Sequence, residues 1–469
     1  MEALQRLHNR GSISTGYDID NSLKVEADNS EYFIRTFSSA GTQTTGTVSF
    51  WIKRTSLGTF QREVDCSNAS GNSSGIFFES DQLCLDFGGA GRHSLRSEAK
   101  LRDTSAWYHC MAVWDTTQST DTERTKIYIN GSRVTSFSTA TYPSQNATSQ
   151  FFTPNDGSGS GNNCLFSRHN SASLGQHTPD GYHAEFHYID GTAKTPSDFG
   201  EFDSATGIWK PKEYTGSHGS NGFYLDFADA ANLGDDVSGN NNDWTETNIT
   251  SADQATDTPT NNFCTWNPLW VYASQPVISE GATKVRIDDS TDEGAKATIG
   301  LTNGKWYWEA KPVGTIGSQY IGIQTDGDSN IASNANSLLN NYTMVINHTG
   351  RYYSYAGSLS ESAAGQFTSL TTSDWVGIAL DMDSATQTIK YYVNGSLILT
   401  RNLISEMQGR TVFPFLVNYE NRSFDINFGG YTINTISSAE TDENGYGTFE
   451  YAPSSGYYAI CTKNLEEFG

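Results

Sequence analysis

Acidic residues outnumber basic ones 53 to 29, so paired carboxylates are the first chemistry to weigh. Glycoside hydrolysis needs two such groups, roughly 5 to 10 Å apart and facing one cleft. Glu63-Val-Asp65 offers a pair at strand spacing, while Glu201-Phe-Asp203 lies in loop-like sequence. His183 and His187 fall four apart in an alternating strand, on one face with Glu185. That pattern fits either a metal face or a half-buried strand. The nine histidines and many serines are not accompanied by a G-x-S-x-G elbow before a helix. Hard oxygens cluster at Asp235, Asp236 and Asp243, the type of ligand calcium prefers, although Asn, Asp and Gly tracts also close turns through their own side chains. Asp326-Gly-Asp-Ser-Asn330 starts like a calcium loop but lacks the glycine and glutamate that complete one. The expectation is no catalytic residue and no cofactor, with a structural calcium at Asp235, Asp236 and Asp243 as the metal alternative.

Binding asks less of a sequence than catalysis does. An aromatic ring can stack on a sugar face while amides and carboxylates take its hydroxyls. Tyr352, Tyr353 and Tyr355 form one such group, and Asn418-Tyr419-Glu-Asn-Arg422, between two strand patterns, forms another. The candidate ligand-binding residues are Tyr353, Tyr355, Asn418, Tyr419 and Arg422. The same tyrosines could instead cover the end of a sandwich or a subunit contact.

These residues sit on a chain that reads as strands throughout. Trp375 to Asp381 and Thr388 to Leu399 form a strand and then a hairpin closed at Asn394-Gly395, a turn needing positive φ at both residues. Trp107 to Asp115 and Thr125 to Val134 repeat the plan, closing at Asn130-Gly131. Hydrophobic residues make up 36% and aromatics 12% of the 469 residues, with abundant Gly, Ser, Thr and Asn, which favours short strands over helices. A net charge of −24 opposes binding to nucleic acid and to anionic membranes. No apolar run is long enough to cross a bilayer, and the first residues lack the apolar core of a secretory signal. Six cysteines without C-x-x-C spacing read as buried free thiols.

The expected organisation is an N-terminal arm over 1–20, a sandwich over 21–230, an Asn/Asp-rich linker over 231–262 and a second sandwich over 263–469. Trp209, Trp244, Trp266 and Trp270, in or near the linker, are expected to join the two sandwiches. Leu23-Lys-Val-Glu, Val48-Ser-Phe-Trp-Ile-Lys, Trp107-Tyr-His and Ile127-Tyr-Ile-Asn-Gly together resemble a laminin-G-like, concanavalin-type jelly roll. The glucanase branch of that resemblance carries Glu-x-Asp-x-x-Glu on one strand; here Asn68 stands where the third acid belongs. Gly304-Lys-Trp-Tyr-Trp-Glu, Ile321-Gly-Ile, Asp374-Trp-Val-Gly-Ile-Ala-Leu-Asp, Tyr392-Val-Asn-Gly, Pro414-Phe and Asn427-Phe-Gly, in this order, resemble a SPRY domain. The resemblances imply an all-β fold of two tandem antiparallel jelly-roll sandwiches.

Gly11-Ser-Ile-Ser-Thr-Gly-Tyr-Asp, Tyr188-Ile-Asp-Gly-Thr-Ala, Ser238-Gly-Asn-Asn-Asn-Asp-Trp and Tyr457-Tyr-Ala-Ile-Cys-Thr-Lys-Asn-Leu are similar to tail-fibre-type structural proteins of marine bacteriophages. This implies a virion location, attachment to other virion proteins through the arm, a homo-oligomer (a trimer first) and recognition of a host-surface glycan or protein. Two alternatives stay open: a head-decoration or tail-assembly protein that binds only virion proteins, and a polysaccharide-degrading enzyme.

Overall fold

The computed structural model describes residues 16–67, 73–88, 93–154, 163–167, 177–271, 277–286, 292–314, 317, 319–325, 342–356, 358–419 and 422–469. It is nearly all antiparallel β-structure, and its contacts divide the chain between Thr260 and Asn261.

In the first unit, one sheet runs Ser132–Arg133, Thr125–Ile129, Trp107–Asp115, Thr45–Arg54, Gly181–Asp190, Ser22–Val25, Gln254–Ala255, with Phe223–Leu225 also on Gly181–Asp190. The facing sheet runs Phe137–Ala140, His93–Lys100, Gln82–Phe87, Ser73–Glu79, Gln61–Ser67, Asn163–Leu165, Tyr32–Arg35, Thr245–Thr247. Alternation sends Val48, Phe50 and Ile52 into the core and Ser49, Trp51 and Lys53 to the other side. The core is largely aromatic: Phe50 stacks on Phe186 at 5.1 Å, and Phe152 meets Tyr188 at 4.3 Å.

The stretch 231–262 departs from its expected role as a linker. Thr245–Thr247 pairs with Tyr32–Arg35, Gln254–Ala255 pairs with Ser22–Val25, and Trp244 is buried among Phe37, Phe152 and Phe223. Leu233, Trp244 and Ile249 supply the apolar anchors that a linker lacks. Residues 1–15 of the expected arm lie outside the described residues. The part that follows is tied down: Ile19 is buried and its N–H donates to Thr260 Oγ1 at 2.9 Å.

In the second unit, one sheet runs Trp266–Val271, Asp292–Ala297, Val412–Tyr419, Gln319–Thr325, Thr343–Asn347, Tyr352–Tyr355, Leu359–Glu361. The other runs Val277–Ser279, Lys284–Arg286, Arg422–Asn427, Lys305–Gly314, Val376–Asp381, Thr388–Val393, Ser396–Asn402. Trp306, Trp308, Ile378, Ile426 and Leu416 fill the space between them. A helix, Thr462–Phe468, ends the chain. The tryptophans expected to join the sandwiches each have partners within one unit: Trp244 in the first core, Trp266 against Phe428, Trp209 near His109 and Trp270 near Phe415.

Both predicted hairpin turns form, with φ of 47° and 75° at Asn130 and Gly131 and of 48° and 75° at Asn394 and Gly395. Each asparagine also fastens its hairpin to the preceding strand. Asn130 Oδ1 accepts from His109 N–H at 2.8 Å, and Asn394 Oδ1 accepts from Trp375 N–H at 3.0 Å.

Candidate functional site

On the strand Tyr352–Tyr355, Tyr352 packs toward the second core while Tyr353 and Tyr355 point to the outer face of the sheet. There they join Val345, Phe415 and Val417 with half-buried Trp270 and Tyr320. Tyr320 meets Tyr353 edge-on at 5.2 Å, and Trp270 meets Phe415 edge-on at 6.2 Å. Polar groups flank the rings. Tyr353 Oη donates to Glu361 at 3.0 Å and accepts from Asn347 Nδ2 at 3.3 Å, while Arg351 pairs with Glu361. Lys296 Nζ lies 4.3 Å from the Trp270 ring centre and donates to the Thr325 carbonyl at 2.8 Å. The outer face thus presents partly exposed π-surfaces beside the exposed Glu361 carboxylate and Arg351 guanidinium, with Asn347 and Lys296 buried behind them, an arrangement that suits stacking and orientation of a hydroxyl-bearing ring.

The five predicted binding residues are not brought together. Asn418 follows Leu416 at the two-residue period of its strand and therefore turns inward, opposite Gln319 and Glu293. Its side chain is fully buried, and among the described residues neither of its amide atoms has a hydrogen-bond partner. Arg422 shares the inward face of Phe424 and Ile426, and a Cβ added at Gly317 would lie 2.0 Å from its Nε. The Tyr419 side chain lies outside the described residues. Trp270, Tyr320 and Lys296 were missed because they lie far apart in sequence; only the sheet order places their strands on one face. The alternation of Phe413, Phe415 and Val417 was the available signal for that second apolar face.

A second polar group lies on the first sandwich, and a β-bulge decides its membership. His183 faces the core, where its Nε2 lies 2.7 Å from Glu63 Oε2. Between Ala184 and His187 the register slips, and Glu185 takes a φ of 51°. His187 is thereby turned to the opposite face, so the regular i, i+4 placement of the two histidines does not hold. There His187 Nδ1 is 3.2 Å from His218 Nε2, and Glu185 accepts from Tyr17 Oη and Tyr224 Oη, both at 2.6 Å. Burial and the neighbouring His187 hold His218 down at about 4, and burial holds His109 at about 3.

The carboxylate pair Glu63 and Asp65 is divided likewise. A register shift between Arg62 and Val64 leaves Glu63 on the interior side with His183, while Asp65 lies 3.5 Å from Arg62. At the calcium candidates, Asp236 accepts from the N–H groups of Tyr224, Ser238 and Asn242 at 2.9, 2.9 and 2.7 Å. Asp243 accepts from Asp236 N–H at 3.1 Å, and Asp235 lies near the Asn232 amide at 3.5 Å. Here the acidic oxygens organise a turn. Among the described residues no three His, Cys, Asp or Glu side chains are grouped to hold a metal ion. Asp326–Asn330 and Asn68 lie outside the described residues.

No curated protein matches the chain. Among solved structures it is similar to a heptameric SAP-like pentraxin from Limulus polyphemus (15% identity, TM-score 0.29, covering 38% of this chain and 80% of that one). It is similar to the SPRY domain of human HERC1 (14%, 0.26, 34% and 96%) and to domains LG4-5 of the mouse laminin α1 chain (8%, 0.31, 96% and 90%). Residues 27–167, most of the first sandwich's strands, match the family model described as the concanavalin A-like lectin/glucanases superfamily.

Proposed function

We propose that this chain is a non-enzymatic, glycan-recognising component of a bacteriophage particle, a tail fibre or appendage that contacts the host surface. The observation that carries the binding role is the outer sheet face of the second sandwich, where half-buried Trp270, Tyr320 and Tyr355 lie on the face that carries exposed Glu361 and Arg351. Sugars present an apolar C–H face and an equatorial set of hydroxyls, and this surface offers both complements. The family match over residues 27–167 supports a lectin-type scaffold. The virion placement is supported by the phage-type segments at the start, middle and end of the chain.

A non-enzymatic role is supported by the fate of the paired acids, since Glu63 spends its carboxylate on His183 inside the first core. Individual contacts of this kind are weak, and many copies on one particle raise avidity without new contacts. The test is binding of the purified chain to host-surface polysaccharide. The Trp270→Ala variant should bind about tenfold more weakly, the equivalent of about 1.4 kcal/mol. Unchanged binding by Trp270→Ala and Tyr355→Ala would remove the aromatic face from the reading. Release of reducing ends by the wild-type chain would replace it with an enzyme.

A further inference from the structure

A sheet edge exposes a row of unpaired N–H and C=O groups, and folded chains shorten, break or cover such edges. This chain does so at most of its sheet ends. In the first sandwich the four terminal strands are Ser132–Arg133, Gln254–Ala255, Phe137–Ala140 and Thr245–Thr247, of 2, 2, 4 and 3 residues. In the second, Val277–Ser279 and Leu359–Glu361 have 3 residues each. Trp266–Val271 has 6 but contains Pro268 and loses register against its neighbour.

The exception is Ser396–Asn402, 7 residues long, without proline. Its backbone hydrogen bonds go to Thr388–Val393 on one side, and among the described residues none reaches it from the other. Ser396, Leu397, Thr400 and Asn402 are exposed, with Leu397 at 55%. Charge marks the same place. From Ser384 to Ile404 there is no acidic residue, and Lys390 and Arg401 are the only charges, in a chain of net charge −24. In a chain of this net charge, the hairpin 384–404 adds no carboxylate of its own to the repulsion between two copies.

We propose that Ser396–Asn402 is a self-docking edge, which pairs antiparallel with the same strand of a second copy so that one sheet continues through two molecules. The charges select the register. Pairing centred on Arg401 would set two guanidiniums opposite one another. Pairing centred on Leu399 would run through the bulge that interrupts this strand between the partners of Tyr391 and Tyr392. Pairing centred on Thr400 avoids the first and moves the bulged Ile398 away from the axis to the end of the ladder, opposite Asn402: it places Thr400 opposite Thr400 and Leu399 opposite Arg401, keeping inward residues opposite inward ones. Such a dimer doubles the number of aromatic faces per assembly.

The test is the mass of the full chain in solution by light scattering over a range of concentrations. A dimer that dissociates on dilution is expected. Thr400→Glu keeps the hairpin, since the new carboxylate lies beside Lys390, its neighbour in the ladder. In the dimer it sets two carboxylates face to face, so the dissociation constant should rise about fivefold or more. Thr400→Val, which replaces the central hydroxyls by apolar methyls, should lower it, and unchanged far-UV circular dichroism confirms that both variants fold. A monomer at every concentration, a trimer, or a dimer indifferent to Thr400→Glu would overturn the proposal.

Discussion

The two sandwiches cover the outer face of one sheet in different ways, although both are built around the same hairpin. In the first, Phe199, Tyr214, Trp209 and His218 lie over Met111, Val113 and Ile189, and the buried polar groups beside them are His109, His187 and His218 with Glu185. In the second, Phe449 and Tyr457 pack with Tyr307 and Ala379, and the buried polar group is a carboxylate. Glu309 accepts from the N–H groups of Glu450 and Tyr451, both at 2.8 Å, and from Asn427 Nδ2 and Tyr307 Oη, both at 3.1 Å. Even the hairpin turns are capped alike: a Cβ at Gly131 would lie 2.3 Å from the Trp209 ring, and one at Gly395 would lie 2.8 Å from that of Tyr451. A shared scaffold therefore tolerates different buried polar groups on its strands, His109 and His187 in the first sandwich and Glu309 in the second, each with its own set of covering side chains.

The largest test of this contrast is Glu309→Ala. It leaves four donors without their acceptor, and the second sandwich should lose about 3 kcal/mol or more, read by denaturant unfolding. The first sandwich should be unaffected, and equal loss in both would dissolve the distinction.

Acid should then act on the two covers with opposite signs. Burial pushes the Glu309 carboxyl up to about 7, above the unfolded value of 4.5, so its neutral form suits the fold. Stability from this group falls as pH rises from about 4.5 to about 7, and Glu309→Gln should abolish that dependence. In the first sandwich His109 and His218 are held near 3 and 4, below the unfolded 6.5. The unfolded chain binds those protons first, so this sandwich weakens as pH falls from about 6.5 toward 4. Hydrogen exchange at pH 4.5 and 6.5 should show slower opening of the second sandwich, and faster opening of the first, at the lower pH. Changes of the same sign in both would contradict the assignment.

The smallest effect expected comes from the turns. Gly131→Ala and Gly395→Ala both force a side chain into positive φ, at about 1 kcal/mol. Gly131→Ala should cost about 1 kcal/mol more, since the Trp209 ring is met more closely than that of Tyr451. Equal melting shifts would mean that the two rings yield alike.

Local chemistry made much of this fold readable. Alternation and the Asn-Gly turns specify the hairpins at 130–131 and 394–395, because positive φ at consecutive residues is a property of the turn itself. The all-β class follows from short alternating runs in the same way. The binding face was half readable: Tyr353 and Tyr355 belong to it, whereas Trp270 and Tyr320 join only through sheet order.

What the tertiary structure alone decided is the direction in which polar side chains point. Slips of register at Glu63 and at Glu185 send Glu63 inward and His187 outward, against the simple two-residue period. Asn418 obeys that period, but which face was the interior depended on its neighbours. The strand 245–247 found its place because Trp244 could be buried beside it, although the surrounding Asn and Asp read as linker. A strand's period is set within a few residues. The partner that shifts it, and the layer that makes one face interior, belong to other strands, from the next one in sequence at Glu63 to strands far along the chain at Glu185 and Asn418.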